Sequence, residues 1–226
     1  MDFDHVLKQG VEISSSGTTG TPKIIFRTPE NLNACNRVAI EGQQISKKSS
    51  ILTVTRMTHA GGLLLQSLPA YTLGCNIEIT TFNPYNFLKK LQHHTHTFIT
   101  PAMCSALLKT KGFYDADFTG KYIAMGSDPI PASHIQSFID RGATVFANWG
   151  MTEIGPWTIN KTYTKGMIAD HFILGDTFWC DTKIVNNILY VKGDICHTDD
   201  WYKTYDVVDA WNNQIYFVRR SASNAL

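Results

Sequence analysis

The chain has 226 residues, with 20 Lys and Arg against 19 Asp and Glu and a formal net charge of +1. This near-neutral balance, with no basic block longer than two residues, speaks against nucleic acid or an anionic membrane as a partner. An apolar fraction of 43% suffices for the core of one to two domains, and five scattered cysteines without a Cys-x-x-Cys pair favour neither a disulfide framework nor a zinc knuckle. The expected setting is a reducing cytoplasm: the start of the chain lacks the order of a signal peptide, and no apolar run reaches membrane-spanning length.

In chain order, the first strong feature is the run S-S-S-G-T-T-G-T-P-K at 14–23, between the apolar stretches Val11-Glu12-Ile13 and Ile24-Ile25-Phe26, which suit two bracketing strands. Glycines free the backbone to turn N–H groups toward an anion, hydroxyls add donors and Lys23 supplies countercharge, so the run reads as a phosphate cradle. It is not a Walker loop, because Thr21-Pro22 separate the second glycine from the lysine. Thr28-Pro29 suit an N-cap and first helical position, with a helix to about residue 44. A buried strand follows at 51–55, a helix from near Gly62 to Gly74, and a strand at 76–80. Pro84 opens a helix, 97–100 is a strand, and Pro101 opens another helix. Strands at 122–125 and 144–147 flank a helix over 132–141.

After Glu153 helical periodicity fades, and β-branched and aromatic residues cluster around asparagine turns at 186–187 and 212–213. The expected organisation is therefore an α/β core over 1–155 and a β-rich part over 156–226. The fold class is α/β, a mainly parallel sheet with helices on both faces plus a smaller β-rich C-terminal part. Ligands in such sheets bind where loops leave the carboxyl ends of strands, and the conspicuous polar loops follow expected strands.

Ser15, Ser16, Gly17, Thr18, Thr19, Gly20, Thr21, Pro22 and Lys23 match, at each defined position, the pattern [ST]-S-G-[ST]-T-G-x-P-K. This resembles the phosphate loop of the AMP-forming adenylating enzymes: acyl- and aryl-CoA synthetases, luciferases and peptide-synthetase adenylation domains. Their second signature, aromatic-Gly-x-Thr-Glu, has its counterpart in Trp149-Gly150-Met151-Thr152-Glu153. The resemblance implies ATP and AMP as ligands, with Trp149 stacking on the purine, Thr152 donating to the α-phosphate and Glu153 holding Mg2+. Gly126-Ser127-Asp128 resembles the turn that brackets adenine, with Ser127 at a glycine position. His59-Ala60-Gly61-Gly62 resembles the segment beside the acyl pocket, which the resemblance lines from His59 to Leu65, around Met125 to Ser127, and with Asn148 and Met151.

Asp200-Trp201-Tyr202-Lys203-Thr204-Tyr205-Asp206 resembles D-G-W-[FY]-x-T-G-D, whose last aspartate accepts from the ribose hydroxyls. That assigns the ribose to Asp206 rather than Asp194, with Tyr205 at a glycine position and Arg220, or Arg219 in a shifted alignment, as the hinge arginine. The implied activity is activation of a small-molecule carboxylate as acyl-adenylate, with transfer to CoA or another thiol. The family's region before the phosphate loop and its mobile C-terminal domain, which carries a catalytic lysine, have no counterpart among these residues. Turnover is therefore expected to be slow unless a C-terminal domain or carrier protein acts in trans; the alternative is a nucleotide-binding pseudoenzyme or partner-binding module. A second copy is expected to cover the sheet face left bare, giving a homodimer. His93-His94-Thr95-His96 and Cys196-His197-Thr198-Asp199 lack complementary pairs at zinc spacing and are expected at the surface.

Overall fold

The structure, a computed structural model, describes residues 1–15 and 23–221. Helix α1 (Phe3–Gln9) starts at Asp2, whose carboxylate accepts from the backbone N–H of His5. Strands β1 (Val11–Ser14) and β2 (Ile24–Arg27) pair antiparallel with each other and stand outside the main sheet. The strand before the phosphate loop is thus not one of the parallel set, contrary to expectation. Helix α2 (Pro29–Gly42) has the expected start: the Thr28 side chain accepts from Asn31 N–H, and Pro29 needs no partner at its position.

Then come β3 (Ser50–Thr53), α3 (Ala60–Gly62), a π-helical turn (Leu63–Ser67) and α4 (Leu68–Leu73), closed by Gly74 in the left-handed region. β4 (Asn76–Ile79), α5 (Pro84–Leu91), β5 (His96–Ile99), α6 (Pro101–Leu107), α7 (Lys111–Tyr114), β6 (Tyr122–Met125) and α8 (Ala132–Ile139) continue the alternation. β7 (Thr144–Met151) runs four residues further than the sequence suggested, because it pairs antiparallel with β8 (Gly155–Tyr163). β9 (Ile173–Gly175), β10 (Thr177–Phe178), β11 (Asp181–Val185), β12 (Ile188–Lys192), β13 (Tyr202–Trp211) and β14 (Gln214–Arg220) complete the chain.

The main sheet has the order β10-β8-β7-β6-β5-β3-β4, parallel from β4 to β7 and antiparallel at β8 and β10. Strand alternation divides its side chains between two cores. Ile123 and Met125 face Phe113, Phe138 and the other side chains of α5 to α8, whereas Ala124 between them faces α2 and the π-helical turn with Phe98 and Trp157. Helices therefore cover both faces, as a parallel sheet requires. A second sheet, β11-β12-β13-β14-β9, is antiparallel and buries one face over Ile154, Leu189, Val191 and Val208. β8 carries the main sheet across the expected division at 155/156, since Gly155 to Tyr163 pairs with β7.

The histidine and cysteine clusters are split: His93, His197 and Asp199 are exposed as expected, whereas His94, His96 and Cys196 are not. His94 and His96 are 4% and 2% exposed, and Cys196 is 6% exposed. His96 stacks on Tyr122 and its Nε2 donates to the Gln43 carbonyl at 3.1 Å, while Cys196 joins the core under the second sheet. Among the described residues no group of three His, Cys, Asp or Glu side chains is arranged to hold a metal ion, and no helix is long and apolar enough to cross a membrane.

Candidate active site

The base of the phosphate loop is closed by two hydrogen bonds. Ser15 N–H donates to the Lys23 carbonyl at 2.8 Å, and Lys23 N–H donates to Ser15 Oγ at 3.0 Å. Ser16, Gly17, Thr18, Thr19, Gly20 and Thr21 lie outside the described residues. The hairpin is fixed to the segment after β3: Ser14 N–H donates to the Thr58 carbonyl, and His59 Nδ1 lies 2.9 Å from the Ser14 carbonyl. A carbonyl only accepts, so this nitrogen carries the ring proton.

Beside this hairpin opens a cavity of about 560 Å³. Its wall takes Ser15, Lys23, His59, Ser127, Asn148, Gly150, Thr152, Glu153 and Arg220 from the expected site. Of the expected acyl wall it includes Ala60, Gly61, Leu65 and Met151, but Met125 lies in the core with α5 to α8. Val54, Phe82, Phe98 and Met103 supply apolar wall that local motifs did not reveal, and Arg56 adds a cation. A pocket mostly apolar with a few convergent polar groups suits a small ligand. Asn148 donates through Nδ2 to the Pro156 carbonyl at 2.8 Å, while its buried Oδ1 has no partner among the described residues. Thr55 Oγ1 on the same wall is likewise without one.

A bend at Ser127 and a break in the β12–β13 register around Tyr205 explain the departures from glycine. Ser127 has φ +79° and Tyr205 φ +63°, so each non-glycine residue adopts the left-handed conformation itself. Gly126 is different: a Cβ there would meet the Asn148 carbonyl oxygen at 2.4 Å, so close packing of β6 on β7 excludes any side chain. Gly126 is buried and Asp128 exposed, and neither lies on the cavity wall. At Gly62 a Cβ would meet the Arg56 carbonyl at 2.4 Å, so this glycine serves packing rather than approach of a substrate.

Glu153 is 7% exposed and follows the end of β7. Its carbonyl accepts from His197 N–H at 2.9 Å and lies 2.7 Å from His197 Nδ1. Its carboxylate takes a hydrogen bond from Tyr202, whose phenol is pushed above its ordinary pKa by burial first and by this negative charge second. Thr152 is held through its carbonyl by Arg27 Nη2. Arg27 is fully buried, and burial lowers the pKa of its guanidinium. The sequence reading passed over Arg27, although it shares a face of β2 with Ile25 and so stands where a core residue is expected.

Trp149 and Asp206 differ from their expected places. Trp149 packs against the core under the second sheet, and its indole N–H donates to Asp206 Oδ2 at 3.0 Å. Neither lies on the cavity wall, where the neighbouring Asn148 does. Asp206 is 3% exposed and pairs across β13 and β14 with Arg220, whose Nε lies 3.3 Å from Oδ1. Burial raises the Asp206 pKa, opposed by Arg220 and by the Trp149 hydrogen bond. Tyr205 and Arg220, not Asp206, form the rim. Asp194, the competing aspartate, makes an exposed pair with Arg37 at 2.6 Å.

A family model described as AMP-binding enzyme matches residues 13–188. The chain belongs to this AMP-binding enzyme family. Among its curated relatives, feruloyl-CoA synthase of an Amycolatopsis species is 27% identical over 147 residues, 63% of this chain and 30% of that protein. The 2-succinylbenzoate–CoA ligase of Enterococcus faecalis is 28% identical over 144 residues, 62% of this chain and 29% of the relative. The chain thus spans about 30% of the length of these acyl-CoA ligases. O-succinylbenzoate coenzyme A synthetase from Bacillus subtilis, solved in complex with AMP, superposes with a TM-score of 0.77 at 20% identity, covering 92% of this chain and 49% of that one. ATP-bound MatB from Rhodopseudomonas palustris gives a TM-score of 0.77 at 15% identity over 92% and 47%. These likenesses show an adenylating-enzyme fold, and the two family motifs lie in the segment that the family model covers.

Proposed function

We propose that the chain binds ATP in this cavity and activates a small-molecule carboxylate as its acyl-adenylate. The observation that carries the reading is the convergence on one cavity wall of the phosphate-loop base at Ser15 and Lys23, the Ser127 turn, Asn148, and the Thr152-Glu153 turn. A carboxylate oxygen attacks the α-phosphorus, the bond to the β-phosphate oxygen breaks, and pyrophosphate leaves toward the loop with Lys23 as countercharge. In this reading Asn148 Oδ1, which is buried without a partner among the described residues, accepts from an exocyclic amine, and Thr152 donates to the α-phosphate. Arg220 at the rim faces ribose or phosphate, and Asp206 acts through it. A thiol such as CoA then attacks the acyl carbon and displaces AMP.

Glu153 is the one carboxylate on the described cavity wall, which also carries Lys23, Arg56 and Arg220. A single carboxylate together with substrate phosphates is a usual donor set for Mg2+, so these residues fit the ion. When bound, it neutralises charge on the phosphate oxygens. Turnover by these 226 residues alone is slow in this reading, and a lysine-bearing C-terminal domain added in trans raises it.

A second reading, nucleotide binding without turnover, is favoured by the Asp206 carboxylate, which is already held by Trp149 and Arg220 away from the wall. Pyrophosphate release from ATP, with a panel of carboxylates and hydroxylamine to trap acyl-adenylate, separates the two. Carboxylate-dependent release with hydroxamate supports activation. ATP binding with no release at any carboxylate, with or without the added domain, removes it.

A further inference from the structure

Arg27 has no part in the reaction as described, yet its guanidinium is fully enclosed. Nη1 donates to Asn31 Oδ1 at 2.6 Å and to the Ile195 carbonyl at 2.7 Å, and Nη2 donates to the Thr152 carbonyl. Among the described residues it makes no ion pair, and the Glu153 carboxylate acts on it only through the longer-range field. Burying a cation without a paired anion is costly, and an apolar side chain at this inward position of β2 would suffice for packing. The guanidinium does what an apolar residue cannot: it fixes three acceptors from separate segments relative to one another.

Two of those segments converge on Glu153. Thr152 immediately precedes it, and the loop containing Ile195 continues to His197, which grips the Glu153 carbonyl. Asn31 reinforces the bracket, its Nδ2 donating to the Asp194 and Cys196 carbonyls at 2.8 and 2.9 Å. Arg27 itself ends the strand that leaves the phosphate loop at Lys23.

We propose that Arg27 is a positioning residue that locks the Thr152-Glu153 turn to the strand that follows Lys23, so that the carboxylate and the loop lysine face one polyphosphate at a set separation. This deepens the ATP reading and rests on it. The bracket does not touch the ligand; it sets where two ligand-facing groups stand.

The test compares wild type, Arg27→Lys and Asn31→Ala, with Arg37→Ala as a control that breaks the exposed Asp194 pair on the same loop. Binding of ATP with magnesium is titrated well below each variant's unfolding temperature, and amide exchange of the ligand-free proteins is followed. Lysine can satisfy only part of the three-acceptor set, so Arg27→Lys is expected to weaken ATP by about tenfold and to speed exchange at 150–155. Asn31→Ala, which keeps the guanidinium and removes one acceptor, moves both readouts the same way by less, and serves alone should Arg27→Lys not fold. Arg37→Ala leaves both as in wild type. A lowered unfolding temperature with affinity and local exchange unchanged overturns the proposal, because it makes Arg27 structural only. If wild type binds no ATP, the functional reading falls, and the exchange arm decides the positioning claim: faster exchange confined to the turn supports it, and unchanged exchange overturns it.

Discussion

The two sheets meet at the cavity but are built differently. The seven-stranded sheet is sandwiched between helices, so its strand ends are held from both sides, and it contributes Ser127, Asn148 and the Thr152-Glu153 turn. The five-stranded sheet is covered on both faces only at its β14–β9 end, where Ile173 and Tyr216 join the core of the main sheet and Leu174 and Ile215 join its own; further out it leaves Val218 54% and Trp211 68% exposed, and it contributes the rim at Tyr202, Tyr205 and Arg220. The wall thus comes chiefly from the sheet covered along its whole width, and the rim from the sheet that is largely open on one side.

The largest expected consequence is in stability. Phe138 is fully buried and its ring packs on Phe113 and Phe118, so Phe138→Ala is expected to cost about 3–5 kcal/mol. Val218→Ala, on the open face of the second sheet, stays within about 0.5 kcal/mol. Denaturant unfolding of both checks this, and equal losses would erase the distinction between the sheets.

Next in size is a pH response seated in the main sheet. Burial lowers the His96 pKa from 6.5 to about 4. The unfolded chain therefore takes up this proton at a higher pH than the folded one, and stability falls as pH drops through that window. Full loss amounts to about 3 kcal/mol. A His96→Gln variant flattens the slope of stability against pH in this interval, whatever its absolute stability; an unchanged slope would remove His96 as its source.

Much of the main sheet was legible because its signals are local. Thr28-Pro29, Pro84 and Pro101 mark helix starts that the structure reproduces, and the strand at 122–125 has the expected bounds. The short helices α1 and α7 were passed over: neither has the length to show a periodic apolar face, although Asp2 offered a cap. β8 could not be placed from its own residues, because its membership of the main sheet depends on pairing with β7.

Loop motifs pointed to residues that line the cavity, as at Lys23, Thr152 and Glu153. It was obscure where the decisive contact is long-range. Trp149 turns to Asp206, 57 residues away, and Arg27 reaches Ile195, 168 residues away. The apolar wall at Phe82 and Phe98 likewise depends on how distant segments assemble.

The smallest expected effect sharpens the comparison at one shared device. Ser127 beside the first sheet and Tyr205 in the second both hold positive φ. Ser127→Gly relieves that strain without loss of packing and is expected to stabilise by about 0.5–1 kcal/mol. Tyr205→Gly gains less, because it also removes the ring under Lys203 Nζ, 4.9 Å from its centroid. Differential unfolding of the two variants measures this, and destabilisation by Ser127→Gly would show that the serine side chain holds the turn.

The central claim is that one cavity receives a nucleotide with its polyphosphate at the loop base. Calorimetric titration of ATP with magnesium, and of AMP, into wild type and Lys23→Ala tests it most directly. The account predicts that wild type binds both nucleotides and that Lys23→Ala weakens ATP more than AMP, because AMP lacks the phosphates that the loop lysine faces. Absence of binding to wild type, or a Lys23→Ala variant that binds ATP as wild type does, would contradict it.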